Sequence, residues 1–279
     1  MLGKLLCFIG AGAMAEAIIA GLLAEKLSKG SEIDVLNKSN QERLDVLQQR
    51  YGVNRPERVE TAIVRADIVI LAVKPKDVRD ALSHWGRLLE PNRHLLVSVV
   101  AGIQTTYLES FMPEGVPVVR AMPNTSCTIG QSATGIAAGR WAKPEHVKLT
   151  ETLFNAVGTV ATLAEQHLDA VTALSGSGPA YVYYLVESME KSGIDAGLPP
   201  DTVRKLTVQT LLGAAEMLVK TGEEPAKLRE KITSPAGTTF AGLEALKARD
   251  FAGAVEAAIF AARDRAKQLG EEWAKKATE

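Results

Sequence analysis

Four short stretches of this 279-residue chain carry residue types and spacings that could do chemistry, three of them suited to holding small anions. The first is Gly10-Ala11-Gly12-Ala13-Met14-Ala15, which closes an apolar run and opens a helical pattern. Its spacing is G-x-G-x-x-A. The first glycine permits a tight turn, the second lets backbone approach a pyrophosphate, and small Ala15 allows close helix–sheet packing, while the helix start supplies unpaired N–H donors and positive potential. A glycine-rich turn without a ligand has the same spacing, so the apolar run before it and the helical pattern after it carry the dinucleotide reading.

The second stretch is Val35-Leu36-Asn37-Lys38-Ser39-Asn40, at the end of the next apolar run. An NAD enzyme places a carboxylate here for the ribose 2′-hydroxyl. Lys38 with short polar neighbours suits a 2′-phosphate instead: the cation neutralises it, while Asn37 and Ser39 donate hydrogen bonds. NADPH is therefore the expected cofactor, with NADH the weaker alternative. Asp34 lies inside the strand, three residues early, and is discounted. Three further strand ends, Ala72-Val73-Lys74-Pro75, Val99-Val100-Ala101-Gly102 and Arg120-Ala121-Met122-Pro123-Asn124, place small or polar residues where α/β folds bind ligands. They suit a channel for a flat cofactor.

The remaining two stretches lie in the second half. Thr172-Ala-Leu-Ser175-Gly176-Ser177-Gly178-Pro179 interrupts a helical pattern with two glycines and a proline, a costly insertion unless backbone must approach something closely or two helices cross there. Thr233-Ser234-Pro235-Ala236-Gly237-Thr238-Thr239 places hydroxyls and small residues where a helix starts, which suits either ordinary capping or a carboxylate. No metal is expected. Glu165, His167 and Asp169 have ligand-type side chains, but their offsets do not share one helical face. No Gly-x-Ser-x-Gly elbow or Cys–His pairing offers a hydrolytic nucleophile.

The elements that must position these stretches fall into two kinds. Apolar runs at Leu5–Gly10, Ile33–Asn37, Ile68–Val73, Leu95–Val100, Val118–Met122, Ser132–Ala138 and Gly158–Leu163 alternate with helical patterns, which predicts an α/β parallel sheet covered on both faces. After residue 164 helical periodicity takes over, notably behind Pro199-Pro200-Asp201 and Asp250. The expected division is a Rossmann-type domain over 1–163 and an all-α domain over 164–279. The apolar stripes of the second half are too generous for a small lone bundle, so a second subunit or the first domain is expected to cover them.

Composition excludes other classes. Thirty-two Lys+Arg against 33 Asp+Glu, a formal charge of −1, gives no bulk attraction to nucleic acid or anionic membrane, and 5% aromatic residues give little base stacking. The stretch Phe8–Ala24 holds three glycines and falls short of the ~20 apolar residues of a membrane span. Two distant cysteines without a CxxC partner suit a reducing compartment, and the cytoplasm is expected.

Taken together and in order, the five motifs beginning Phe8-Ile-Gly, Ala72-Val-Lys-Pro, Arg120-Ala-Met-Pro-Asn-Thr, Ala173-Leu-Ser-Gly-Ser-Gly-Pro and Thr233-Ser-Pro-Ala-Gly-Thr-Thr resemble those of pyrroline-5-carboxylate reductases over almost the whole chain. Ser126-Cys127 and Ala236 depart from the usual pattern, as does Val59 near the expected adenosine. The resemblance implies NADPH-dependent reduction of L-Δ1-pyrroline-5-carboxylate to L-proline, and an intertwined homodimer, often assembled into decamers. It implies that Gly10, Ala11, Gly12, Ala13 and Met14 contact the pyrophosphate, that Asn37 and Lys38 hold the ribose phosphate, and that Ala72, Lys74, Pro75, Ala101 and Asn124 line the cofactor groove. Ser234, Gly237, Thr238 and Thr239 would hold the substrate carboxylate, with catalytic Thr172 and substrate-binding Glu165 near the ring. Two alternatives remain at this point: a reductase of another small imine or 2-oxo acid, and an NADP-binding protein without activity.

Overall fold

The computed structural model describes residues 1–278. β1 (Leu6–Ile9), α1 (Ala13–Ala24), β2 (Ile33–Leu36), α2 (Gln41–Tyr51), α3 (Val59–Arg65), β3 (Ile68–Leu71), α4 (Val78–Trp85), β4 (Leu95–Ser98), α5 (Thr105–Glu109) and β5 (Val118–Met122) alternate as the apolar runs require. β6 (Ser132–Ala138), α6 (Pro144–Asn155) and β7 (Gly158–Thr162) complete a sheet in the order β2-β1-β3-β4-β5-β6-β7. The strand order reverses between β1 and β3, which makes the carboxyl ends of those two strands the crevice where an open α/β sheet binds ligands.

The sheet departs from a purely parallel one at β6, which pairs antiparallel with β5 while β7 pairs parallel with β6. The cause is the connection: residues 123–131 are too few for a parallel crossover, and they fold as a short 3-10 turn that sends the chain back. Both sheet faces are dry. Leu6 and Phe8 of β1 join α1, α2 and α6 in one core, and Cys7 and Ile9 join α3, α4 and α5 in the other. The alternation follows from the two-residue period of a strand. It also explains why these strands read as unbroken apolar runs.

Beyond β7 the chain is helical. α7 (Leu168–Val171) leads into a π-turn (Thr172–Gly176), then α8 (Gly178–Asp195), α9 (Pro200–Thr221), α10 (Pro225–Lys231), α11 (Thr238–Ala248) and α12 (Phe251–Thr278) follow. In the π-turn the Ser177 N–H reaches back five residues to the Thr172 carbonyl, 2.8 Å. The glycines and proline that interrupt the helical pattern are thus absorbed as one widened turn and a fresh helix start, where Pro179 needs no donor. Asp250, the expected cap of the last helix, accepts from the Gly253 N–H at 3.2 Å.

The packing separates two compact units, Met1–Ser177 with Phe260–Glu279, and Gly178–Ile259. In the first unit, residues 164–177 lie on the sheet: a Cβ at Gly135 of β6 would meet Val171 at 2.8 Å. The late turns of α12 also belong to this unit, with the Gly270 backbone against Gly102, past the end of β4. In the second unit α8 and α11 have no fully buried residue, and α9 has only Val203 and Thr207. Tyr183, Tyr184, Leu212, Val219 and Phe240 are exposed. No helix among the described residues is long and apolar enough to cross a membrane.

Candidate active site

The glycine loop sits at the strand-order reversal. Gly10 has φ +110°, and a Cβ there would lie 2.4 Å from the Ala72 carbonyl oxygen, so the loop after β1 and the chain after β3 touch backbone to backbone. Gly10 N–H donates to the Leu36 carbonyl at 2.9 Å and Ala72 N–H to that of Ile9 at 2.8 Å, which closes the crevice floor. Gly12 and Ala13 are exposed, and Gly12 caps α1 with no side-chain hydrogen bond. Nothing lies within 4 Å of the place its Cβ would take. The first amides of α1 therefore face open space at a positive helix end, a cradle that fits a pyrophosphate.

A second layer, unmarked by the motif, holds this loop. Arg43 of α2 donates from Nε to the Ala11 carbonyl at 2.9 Å and pairs with Glu16, which also takes bonds from Arg50 and Tyr51, each 3.0 Å. Burial pushes the Glu16 carboxyl up, but hydrogen bonds from Arg43 and Tyr51 and the charges of Arg43 and Arg50 outweigh it, leaving the group below its usual range.

The loop after β2 is preorganised by its own side chains. Asn37 Oδ1 accepts from the Ser39 and Asn40 amides at 3.1 and 3.0 Å, and Asn40 caps α2 through the Arg43 amide. The Asn37 NH₂ group remains as the donor. Lys38 is exposed, with Nζ 3.8 Å from Asp80. Lys74 precedes the short turn Pro75–Asp77 and is exposed, as is Ala101. Asp34 is buried and paired with Asn54 and Arg65.

Arg120 is a buried charge that the apolar run around it concealed. Only 2% exposed, it reaches Glu165 at 3.5 Å and Asp169 at 3.6 Å. Glu165 accepts from the Thr105 amide at 2.7 Å and the Thr105 hydroxyl at 2.5 Å, so both its oxygens are engaged. Asn124 is likewise engaged, donating from Nδ2 to the Ser175 carbonyl at 3.0 Å. The Thr172 hydroxyl donates to the Leu168 carbonyl at 2.8 Å. Its proton is thereby committed, and the oxygen lone pairs remain as acceptors.

The stretch Thr233–Thr239 folds as a tight turn before α11. Ala236 has φ +57°, the Gly237 N–H donates to the Ser234 carbonyl at 3.0 Å, and a Cβ at Gly237 would fall 2.4 Å from Ser234 Oγ. Gly237 caps α11 with no side-chain bond, leaving the amides at Thr238 and Thr239 beside the hydroxyls of Ser234, Thr238 and Thr239. Amides and hydroxyls together match the donors a carboxylate requires. Among the described residues no group of three His, Cys, Asp or Glu side chains is arranged to hold a metal.

Pyrroline-5-carboxylate reductase 1 of Bacillus spizizenii is 46% identical over 270 residues, spanning 96% of this chain and 90% of that protein. The chain belongs to the pyrroline-5-carboxylate reductase family. A model described as pyrroline-5-carboxylate reductase dimerisation matches residues 165–269 of this reductase family member, and one described as NADP oxidoreductase, coenzyme F420-dependent, matches residues 5–102. Among solved reductases of the family, that of Coxiella burnetii superposes with a TM-score of 0.90 at 33% identity, covering 95% of this chain and 98% of that one. The Plasmodium falciparum reductase, solved with NADP bound, has a TM-score of 0.85 at 28% identity, covering 97% and 99%.

Proposed function

We propose that this reductase converts L-Δ1-pyrroline-5-carboxylate to L-proline with NADPH. The observation that carries the reading is the turn at Ser234–Thr239, whose uncapped helix start and clustered hydroxyls suit the substrate carboxylate in a chain that also has an open dinucleotide cradle. Gly10, Ala11, Gly12, Ala13 and Met14 bind the pyrophosphate. Asn37 and Lys38 take the 2′-phosphate, which makes NADH the weaker donor. Ala72, Lys74, Pro75, Ala101 and Asn124 line the groove between them. The bound nicotinamide supplies hydride to the C=N carbon.

What the chain contributes is position. Ser234, Gly237, Thr238 and Thr239 fix the substrate by its carboxylate. Thr172 accepts a hydrogen bond from the protonated ring nitrogen, a polarity set by its bond to Leu168. Glu165 is assigned to substrate binding near the ring, its carboxylate oriented by Thr105 and Arg120. A protonated imine becomes an amine on gaining hydride, so no strong acid–base pair is needed. Residues 1–163 serve the cofactor and residues 164–279 serve dimerisation and substrate. The exposed apolar side chains of α8, α9 and α11 support a homodimer, with a decamer as its further assembly. The buried, unpaired thiols Cys7 and Cys127, the latter pushed up to about 11 by burial, suit a cytoplasmic protein.

One assay tests the reaction. Loss of reduced-nicotinamide absorbance that requires both NADPH and pyrroline-5-carboxylate, with proline as product, is the expected result. Tight NADPH binding without turnover would instead support the non-enzymatic reading.

A further inference from the structure

Three residues on one face of β5 and its extension grip the segment that follows β7. They occupy alternate positions, Arg120, Met122 and Asn124, and so point the same way from an extended chain. Arg120 reaches Glu165 and Asp169, one helical turn apart, at 3.5 and 3.6 Å. The Met122 methyl would lie 3.0 Å from a Cβ at Gly176. Asn124 donates to the Ser175 carbonyl at 3.0 Å. The first grip precedes the π-turn that carries Thr172, and the other two fall on its Ser175 and Gly176.

The energetics single out Arg120. Its Nε and Nη2 are buried without a hydrogen-bond partner, so the guanidinium depends on its two carboxylates for compensation. Moving either carboxylate away would leave a buried charge alone, which is costly in a low-dielectric interior. The same Glu165 carboxylate is also held by Thr105, so residues 165–169 are pinned both to β5 through Arg120 and to the start of α5. A π-turn is a sparsely used geometry that ordinary helix packing would relax, and it persists where the surroundings over-determine it.

We propose that Arg120 is a positioning residue for the reaction: through Glu165 and Asp169 it holds the π-turn Thr172–Gly176 open and so fixes where the Thr172 oxygen points. The role rests on the assignment of Thr172 to the ring nitrogen. It differs from a merely structural role because it acts on kcat and on the π-turn itself.

The test uses Arg120→Lys in the full-length protein, which keeps the charge but cannot span both carboxylates. The expected result is a kcat roughly 10- to 100-fold lower, as for a displaced catalytic contact, with KM for NADPH within about twofold. Hydrogen exchange supplies the second readout: the Ser177 amide, which closes the π-turn, loses protection. A folded variant with wild-type kcat, or with lowered kcat and unchanged Ser177 protection, overturns the proposal. If Arg120→Lys does not fold, Asp169→Asn keeps the shape and one of the two carboxylates and is read by the same criteria. Failure of the wild-type protein to turn over pyrroline-5-carboxylate would count against the reaction instead, and the exchange comparison would still decide the positioning role.

Discussion

Arg43 Nε donates to the Ala11 carbonyl at 2.9 Å, so α2, which follows the loop after β2, is bonded to the glycine loop after β1. The two loops proposed to hold the cofactor are thereby kept at a fixed spacing. Replacing Arg43 by Met removes this bond and the pair with Glu16. Because the guanidinium is partly exposed, the loss is put at about 1 kcal/mol, at the low end for charged hydrogen bonds. The expected outcome is a KM for NADPH raised about fivefold with little change in kcat, checked by steady-state kinetics.

Gly10 and Gly12 are expected to fail in different ways when changed to alanine. At Gly10 the new methyl group meets the Ala72 carbonyl and adopts a positive φ, a strain of about 1–3 kcal/mol before the overlap is relieved. Calorimetry should show a lowered Tm. At Gly12 φ is −74° and the methyl meets nothing within 4 Å, so Tm should hold. The same methyl occupies the approach to the α1 amides, and NADPH affinity should fall about tenfold or more, because displaced amide–phosphate bonds are charge-assisted. Equal loss of stability in both variants would contradict the open cradle.

The two anion sites should separate kinetically. Ser234→Ala and Thr239→Val are expected to raise KM for pyrroline-5-carboxylate by about 10-fold, the loss of one hydrogen bond to a charged group, and to leave KM for NADPH nearly unchanged. Lys38→Glu should do the reverse and narrow the difference between NADPH and NADH. Ala236→Gly should raise stability by about 1 kcal/mol, since alanine at φ +57° carries a left-handed penalty that glycine escapes. The reversed kinetic pattern would refute the assignment of the two sites.

His94 gives the fold an acid limit. Its Nδ1 accepts from the Glu90 amide at 2.8 Å, so Nε2 carries the proton and donates to the Ile63 carbonyl at 3.0 Å. Burial lowers its pKa from the ordinary 6.5, against the opposing bond to Ile63, with Arg93 also lowering it and Glu90 raising it. The folded state thus binds this proton less readily than the unfolded chain, and stability rises with pH across the interval between the two values. Cooling of the folded state's advantage begins as pH falls through about 6.5 and continues down to the folded pKa. His146 shifts the same way. Thermal melts should therefore drop more steeply from pH 7 to pH 5 in the wild type than in His94→Gln, compared with each protein's own value at pH 7.

Strand positions, the glycine loop and the switch to helices were readable from residue pattern, because each rests on local rules: alternation, φ preference and helix periodicity. The sense of β6 was not, since it depends on how many residues the preceding turn consumes. Arg120 shows the other limit. A single cation inside Val118-Val119-Arg120-Ala121-Met122 is itself a signal, because a charge in a strand covered on both faces must find partners. Its partners, Glu165 and Asp169, lie some 45 residues away in a stretch that invited a metal reading. Likewise Asn124 carries the right residue type for a cofactor groove, but its amide donates to Ser175, a pairing that only the crossing of two distant segments creates.

The antiparallel return after β5 has a consequence for how this region can vary. Arg120, Met122 and Asn124 act together only because one residue separates each from the next. Inserting or deleting a single residue among them would put Arg120 and Asn124 on opposite faces, so that either the arginine enters the apolar core or Asn124 turns away from Ser175. Substitutions here can be graded, but changes of length cannot. For variant libraries and for recognising distant relatives, the interval from arginine to asparagine is therefore a stricter mark than the identity of any residue between them.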